Sequence, residues 1–120
     1  MSKSTPEGAV KEKIKYHLEK LGIIPAGQAV KVTHEHSGWY YMPISNGMGV
    51  HGIPDFIGHY RGEFFAIEAK APAKPGKPRN EPSALQEIQL HAIDRTGGIR
   101  AVVDSEEEML NFMVREGWIA

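Results

Sequence analysis

Two short runs constrain this chain more than any other feature: Ile53-Pro54-Asp55-Phe56-Ile57-Gly58-His59-Tyr60 and Glu63-Phe64-Phe65-Ala66-Ile67-Glu68-Ala69-Lys70, joined by Arg61-Gly62. The second run carries four apolar residues in succession, Phe64 to Ile67, as a strand covered on both faces does. A two-residue connector ending in glycine between two such runs reads as a hairpin turn. A hairpin buried on both faces needs helices on either side, which points to an α/β fold.

The surrounding sequence supplies those helices. Thr5 is a capping-type residue ahead of Pro6 and Glu7, and Val10, Ile14, Leu18 and Leu21 repeat at helical spacing until Gly22. Trp39 to Met42 reads as a short strand and Asn46-Gly47-Met48-Gly49 as turn material. Ser83 can cap a helix from Ala84 to about Thr96 that Gly97-Gly98 stops. Ile99 to Val103 is a further strand, and Ser105-x-x-Glu108 reads as a capping box opening a last helix through Met109, Phe112 and Met113 to Gly117. The predicted order is α-β-β-β-α-β-α, a mixed sheet flanked by helices, and 120 residues fit one domain, 1–120.

Composition closes off several kinds of chemistry. With no cysteine, the chain has no disulfide, no thiolate metal site and no cysteine nucleophile. It contains no apolar run of membrane-spanning length and Met1 to Pro6 lack a secretory signal's apolar stretch, so the expected setting is the cytoplasm, with no membrane partner. Net charge is −1, from 14 Lys and Arg against 15 Asp and Glu, which is not the basic balance of most nucleic-acid binders. Charge is uneven, however. Lys70, Lys74, Lys77 and Arg79 form a basic stretch without an acid, and Asp104 to Glu108 is acidic. Four of the eight prolines (Pro72, Pro75, Pro78, Pro82) fall in that same basic segment, which should be extended, exposed and mobile.

The residues that carry chemistry sit in the hairpin. Twelve residues separate Asp55 from Glu68-Ala69-Lys70. Side chains alternate faces along a strand, so Glu68 and Lys70 point one way and Ala69 the other, and the Gly62 turn folds Asp55 back beside them. Two converging carboxylates make a hard-oxygen site suited to Mg²⁺ or Mn²⁺, which would polarise a phosphoryl oxygen and acidify a bound water. Lys70, a point charge nearby, would orient the attacking water and stabilise developing negative charge. Taken alone, Glu-x-Lys on a strand is more often a solvated face. Here it ends a run that looks buried, where unpaired charge is costly.

Gly52-Ile53-Pro54-Asp55 followed by Glu68-Ala69-Lys70 resembles the PD-(D/E)xK nuclease signature, and more narrowly the stand-alone VRR-NUC domains of phages and bacteria. The similarity extends over the Pro6-Glu7 helix start, Tyr41-Met42-Pro43 with Asn46-Gly47, the Phe64 to Pro72 segment, and a Gln eleven residues before Gly97-Gly98. The resemblance implies a restriction-endonuclease-like core, with Asp55, Glu68 and the carbonyl of Ala69 as metal ligands and Lys70 as a catalytic group. It further implies an acid in the first helix and a glutamine in the helix after the lysine.

For the acid, Glu7 falls on the stripe of Val10, Ile14 and Leu18 whereas Glu12 lies nearly opposite, which favours Glu7, set to bond a water of the metal's shell. An acid in the first turn also complements the helix dipole without any further role. For the glutamine, Gln86 and Gln89 both fall within the apolar arc of the second helix, so periodicity does not choose; the family spacing points to Gln86.

The function implied is metal-dependent hydrolysis of DNA phosphodiester bonds by a homodimer acting on Holliday junctions, other branched DNA or duplex, with Lys74, Lys77 and Arg79 on backbone phosphates and no small-molecule cofactor. The alternatives are a less specific nickase, and a nucleic-acid-binding module whose nuclease site is unused. Six histidines form a competing constellation, but His34-x-His36 has no third ligand at convincing spacing and reads as exposed or hydrogen-bonded. His51 and Tyr41 could line the site. Trp39, Tyr40, Tyr41 and Trp118 could stack bases, although such rings are more often core or interface.

Overall fold

Sheet register, rather than any single helix, organises this molecule. The structure, a computed structural model, describes residues 5–44 and 48–120; the expected turn at Asn46-Gly47 lies outside them. Its five strands are β1 (Ile23–Pro25), β2 (Gly38–Tyr41), β3 (Phe56–Tyr60), β4 (Glu63–Ala69) and β5 (Ile99–Val103). They lie side by side in chain order, with β1 parallel to β2, β2 and β3 antiparallel, β3 and β4 antiparallel, and β4 parallel to β5. Three α-helices complete the fold: α1 (Pro6–Lys20), α2 (Ala84–Arg95) and α3 (Glu106–Arg115). The mixed α/β sheet flanked by helices stands as expected. Among the described residues there is no helix long and apolar enough to cross a membrane.

The helix ends follow from their capping residues. The Thr5 hydroxyl accepts from the Gly8 N–H at 2.9 Å, with Pro6 at the first helical position, and the chain leaves α1 at Gly22 with φ 86°. Ser83 caps α2 by a reciprocal capping box: its hydroxyl accepts from the Gln86 N–H at 3.2 Å, and the Gln86 side chain accepts from the Ser83 N–H at 2.8 Å. The capping box expected at Ser105 is only half made. Ser105 accepts from the Glu108 N–H, but the Glu108 carboxylate turns to the Asp104 N–H at 2.8 Å and to Arg79.

Two differences from the expected elements have local causes. β1 and the 3₁₀ segment after it, Ala26–Lys31, are too short to show periodicity, and β1 exists by virtue of its parallel pairing to β2. The second strand was expected from Ile53, yet β3 begins at Phe56. Pro54 has no N–H for a ladder, Gly52 turns the chain with φ 84°, and the Asp55 N–H is drawn to the Glu68 carboxylate instead.

The core lies between one sheet face and the pair α1 and α3. Val10, Ile14 and Leu18 of α1 meet Tyr40, Phe56, Phe65 and Ile67 of the sheet and Met109, Phe112 and Met113 of α3, with Trp118 closing the end against Tyr60, Phe65 and Phe112. Of the four aromatic residues singled out, Tyr40 and Trp118 are therefore core, while Trp39 and Tyr41 are exposed. His17, buried between α1 and α3, places Nε2 2.8 Å from Glu106 Oε2, and that contact holds the Glu106 carboxyl below its usual range.

α2 covers the opposite sheet face, over β4 and β5. That is why the run Phe65-Ala66-Ile67 is buried on both sides, whereas Phe64, at the rim, remains 42% exposed. The α2 contact is close because of Gly52: a Cβ there would sit 2.4 Å from the Leu85 carbonyl oxygen, at a φ that side chains resist. Gly52→Ala should therefore lower stability by about 2 kcal/mol or more, read as a fall in the urea midpoint with an unchanged slope.

Candidate active site

The β3–β4 turn sets up the site. Arg61 and Gly62 both have positive φ, 51° and 82°, the backbone of a type I′ two-residue turn, and Tyr60 pairs with Glu63 across it. From there the antiparallel register runs to Phe56 opposite Ile67, and one more step brings Asp55 opposite Glu68. At that step the ladder gives way to side chains. The Asp55 N–H donates to Glu68 Oε1 at 3.3 Å and the Ala69 N–H donates to Asp55 Oδ2 at 2.8 Å. The strands part there, leaving a notch whose walls are two carboxylates. A strand residue's N–H and C=O point to the same edge, so the Ala69 carbonyl faces the side on which its N–H meets Asp55.

Glu68 lies on the α2 side of the sheet and is only 2% exposed. Burial, reinforced by the nearby Asp55 charge, pushes its carboxyl up to about 7; the Lys70 ammonium, 3.7 Å from Oε2, opposes the rise. Gln86 braces the pair. Its Oε1 accepts from the Ser83 N–H at 2.8 Å and from Lys70 Nζ at 2.8 Å, and its Nε2 donates to Glu68 Oε2 at 2.9 Å. With two donors on the oxygen and a carboxylate on the nitrogen, only one orientation of the amide satisfies all three partners.

Of the residues named from the sequence, Asp55, Glu68, Ala69, Lys70 and Gln86 thus come together. Glu7 joins them through a residue the sequence reading passed over. Lys11 Nζ lies 3.5 Å from both Glu7 Oε2 and Asp55 Oδ1. Burial disfavours the Lys11 ammonium, but the Asp55 and Glu7 carboxylates outweigh it and raise its pKa above the usual value. The signal was present in the sequence as the (i, i+4) pair Glu7/Lys11 on the inward stripe. Glu12, the rejected candidate, is exposed and pairs with Lys15.

The basic segment divides. Lys74 and Lys77 are exposed on a turn closed by the Lys77 N–H to the Lys74 carbonyl. Arg79 differs from the two lysines in that its guanidinium already has partners within the fold. It donates to both Glu108 oxygens at 2.7 and 3.0 Å and to the Val102 carbonyl at 3.0 Å, and it lies 3.9 Å from Asp104. A bidentate pair of this kind ties the loop to α3 rather than offering charge to a ligand. Asp104, Glu106 and Glu108 of the acidic stretch accordingly have partners within the fold.

Among the described residues no group of three or more His, Asp or Glu side chains is placed to hold a metal ion. Two carboxylates with a backbone carbonyl beside them nevertheless suit Mg²⁺ or Mn²⁺, which keep several waters and take one or two protein carboxylates plus substrate oxygens. Burial is the main cause of the raised Glu68 carboxyl, and the Asp55 repulsion that adds to it is what a cation there would relieve. His34 and His36 pack against each other, ring centroids 4.2 Å apart and planes tilted by 35°. A cleft of about 530 Å³ lies elsewhere, among Glu87, Arg100 and Arg115, where Arg100 pairs with Glu87 and Arg115 with Glu116.

No family model matches the chain, and a search of curated proteins found no match.

The raised Glu68 carboxyl fixes the sign of a pH effect. A carboxyl whose folded pKa lies above its unfolded value contributes stability below the unfolded pKa, here 4.5, and loses it as pH rises through about 7. In EDTA the melting temperature should fall between about pH 5 and pH 8, by on the order of 3 kcal/mol of stability, and Glu68→Gln should flatten the slope. Mg²⁺ or Mn²⁺ should restore stability at the upper end of that range and do little at the lower.

Proposed function

We propose that this chain is a metal-dependent DNA endonuclease of the restriction-endonuclease-like, VRR-NUC type. The observation that carries the reading is the convergence of Asp55, Glu68, Lys70 and Gln86 where β3 and β4 part. A buried carboxylate of raised pKa beside a second carboxylate and a lysine is costly as mere structure and is the arrangement that phosphodiester hydrolysis needs.

In this reading Asp55, Glu68 and the Ala69 carbonyl hold Mg²⁺ or Mn²⁺, which supplies Lewis-acid activation of the phosphate and of water. Lys70, fixed by Gln86, stabilises charge developing on the scissile phosphate and orients the attacking water. Gln86 acts by holding Lys70 and Glu68 in register. Lys11 neutralises Asp55 from the helix side, and Glu7 sets the position of Lys11. Lys74 and Lys77 attract backbone phosphates, whereas Arg79 braces the loop that bears them. Cutting both strands of a duplex or a branched junction with one such site per chain calls for a homodimer.

The test is cleavage of linear duplex, single strand, flap and four-way junction in Mg²⁺, Mn²⁺ and EDTA. Divalent-dependent cutting is expected, with Asp55→Ala, Glu68→Ala and Lys70→Ala each losing at least about 100-fold. A Lys70→Ala protein that cuts at full rate would sink the mechanism, and no cutting of any substrate would sink the function.

A second measurement separates the loop's charges. Replacing Lys74 and Lys77 together by alanine should weaken DNA binding alike for all sequences and reduce the salt slope by about 2. Arg79→Ala should lower the melting temperature and leave the salt slope unchanged.

A further inference from the structure

The sheet face that bears Glu68 is only half covered. α2 lies over β4 and β5, and Phe64 closes its edge: a Cβ on Gly98 would sit 3.0 Å from the Phe64 ring and 2.8 Å from Ile93. Beyond Phe64 no helix among the described residues covers the β2–β3 half of the same face. Directly paired residues of antiparallel strands share a face, so the register arranges this surface in rows. Trp39 is opposite His59, and His59 opposite Phe64; one strand step on, Tyr41 is opposite Ile57, and Ile57 opposite Ala66. A further step along β3 and β4 reaches Asp55 and Glu68. At about 3.4 Å per residue, the Tyr41 row lies roughly 7 Å from the carboxylates and the Trp39 row roughly twice that.

The rings on this stripe are presented outward. Trp39 is 38% exposed and Tyr41 42%, and their planes are parallel to within 14° with centroids 6.3 Å apart. Beside Trp39 runs a cleft of about 280 Å³ lined by Ile24, Val32, His34, Glu35, His36 and His59. Three imidazoles thus face one carboxylate there, and Lys31 stands next to His36 in the adjoining cleft, which Glu19 also lines. Nothing in the nuclease chemistry uses these residues.

We infer that Trp39 and Tyr41, with His59 beside them, form a stacking face for unpaired nucleobases next to the scissile phosphate. The ligand's class rests on the nuclease reading, and the placement rests on the register. The stripe lies on the sheet face that bears Glu68 and ends at the notch where Asp55 meets it, so a strand whose phosphate lies at Asp55 and Glu68 has its neighbouring nucleotides over these rings. The two distances correspond to about two and four bases at a 3.4 Å rise.

The surface is aromatic, with Ile57 half-buried among the rings, which suits π-faces better than the side chains of a protein partner. Within a duplex those π-faces are covered by neighbouring base pairs, so the preferred substrate carries a short unpaired stretch: a flap, a frayed junction arm or a gap. Sequence preference should be weak, because every base has a face to stack.

Trp39 reports on its own occupancy, since the second tryptophan, Trp118, is buried against Tyr60, Phe65 and Phe112. The experiment is a fluorescence titration in EDTA, where no cleavage occurs, with a short oligothymidylate and with an abasic strand of equal length. Oligothymidylate should quench the exposed tryptophan and the abasic strand should not. Trp39→Ala and Tyr41→Ala, both surface changes whose folding a melting curve checks, should each weaken binding of a dye-labelled oligothymidylate, read by anisotropy, at least about fivefold and leave binding of the labelled abasic strand unchanged.

Equal binding of the two strands, or no effect of either substitution, overturns the inference while leaving divalent-dependent cutting of DNA intact. Quenching without cutting of any substrate would overturn the nuclease reading and leave the stacking face standing. A dimer in sedimentation that Trp39→Ala converts to monomer would assign the face to a second copy of the chain and overturn the inference.

Discussion

The register of the β3–β4 hairpin is the constraint on which the rest of the molecule depends. Positive φ at Arg61 and Gly62 closes a two-residue turn and so fixes which residues stand opposite one another down both strands. A slip of one residue would send Glu68 to the α1–α3 face and bring Ile67 and Ala69 to the notch. The same register places Phe56, Phe65 and Ile67 in the core, Asp55 against Glu68, and the Trp39, His59, Phe64 row on the face that bears Glu68.

Burying Glu68 next to Asp55 is unfavourable in itself, and the surroundings are arranged around that cost. Backbone N–H groups of Asp55 and Ala69 solvate the two carboxylates across the notch, Lys70 and Lys11 supply positive charge from either side, and Gln86 joins Lys70 to Glu68. Gln86 can do so because its oxygen is anchored by the Ser83 N–H at the start of α2, making the helix cap part of the site. Gly52 lets α2 approach closely enough for that contact. Local helix chemistry, a glycine and a buried acid are thus coupled through one amide side chain.

Much of this was legible in the chain. The caps of α1 and α2, the hairpin, β5 and the Asp55/Glu68/Lys70 set follow from local rules of period, turn and cap. What was missed or misassigned has an identifiable physical cause. β1 is three residues long and depends on β2 for its existence. Two Ser-x-x-Gln/Glu patterns look alike in sequence, yet only Ser83/Gln86 closes reciprocally, because Arg79 and the Asp104 N–H draw the Glu108 carboxylate away. Arg79 reads as one more basic residue of a loop until α3 folds against it. Lys11 flanks the inward stripe of α1, and only the packing of that helix beside the start of β3 brings it to Asp55.

The sequence by itself determined the three helices, the strands from β2 to β5, the hairpin register and the pairing of Asp55 with Glu68, because turn geometry and strand period act over a few residues. Only the tertiary structure decided that Glu68 is desolvated, that Gln86 rather than Gln89 reaches it, that Lys11 faces Asp55, and which aromatic rings remain outside. Those outcomes depend on which helix packs on which sheet face and how closely, and they arise between residues far apart in the chain, where no local period carries the information.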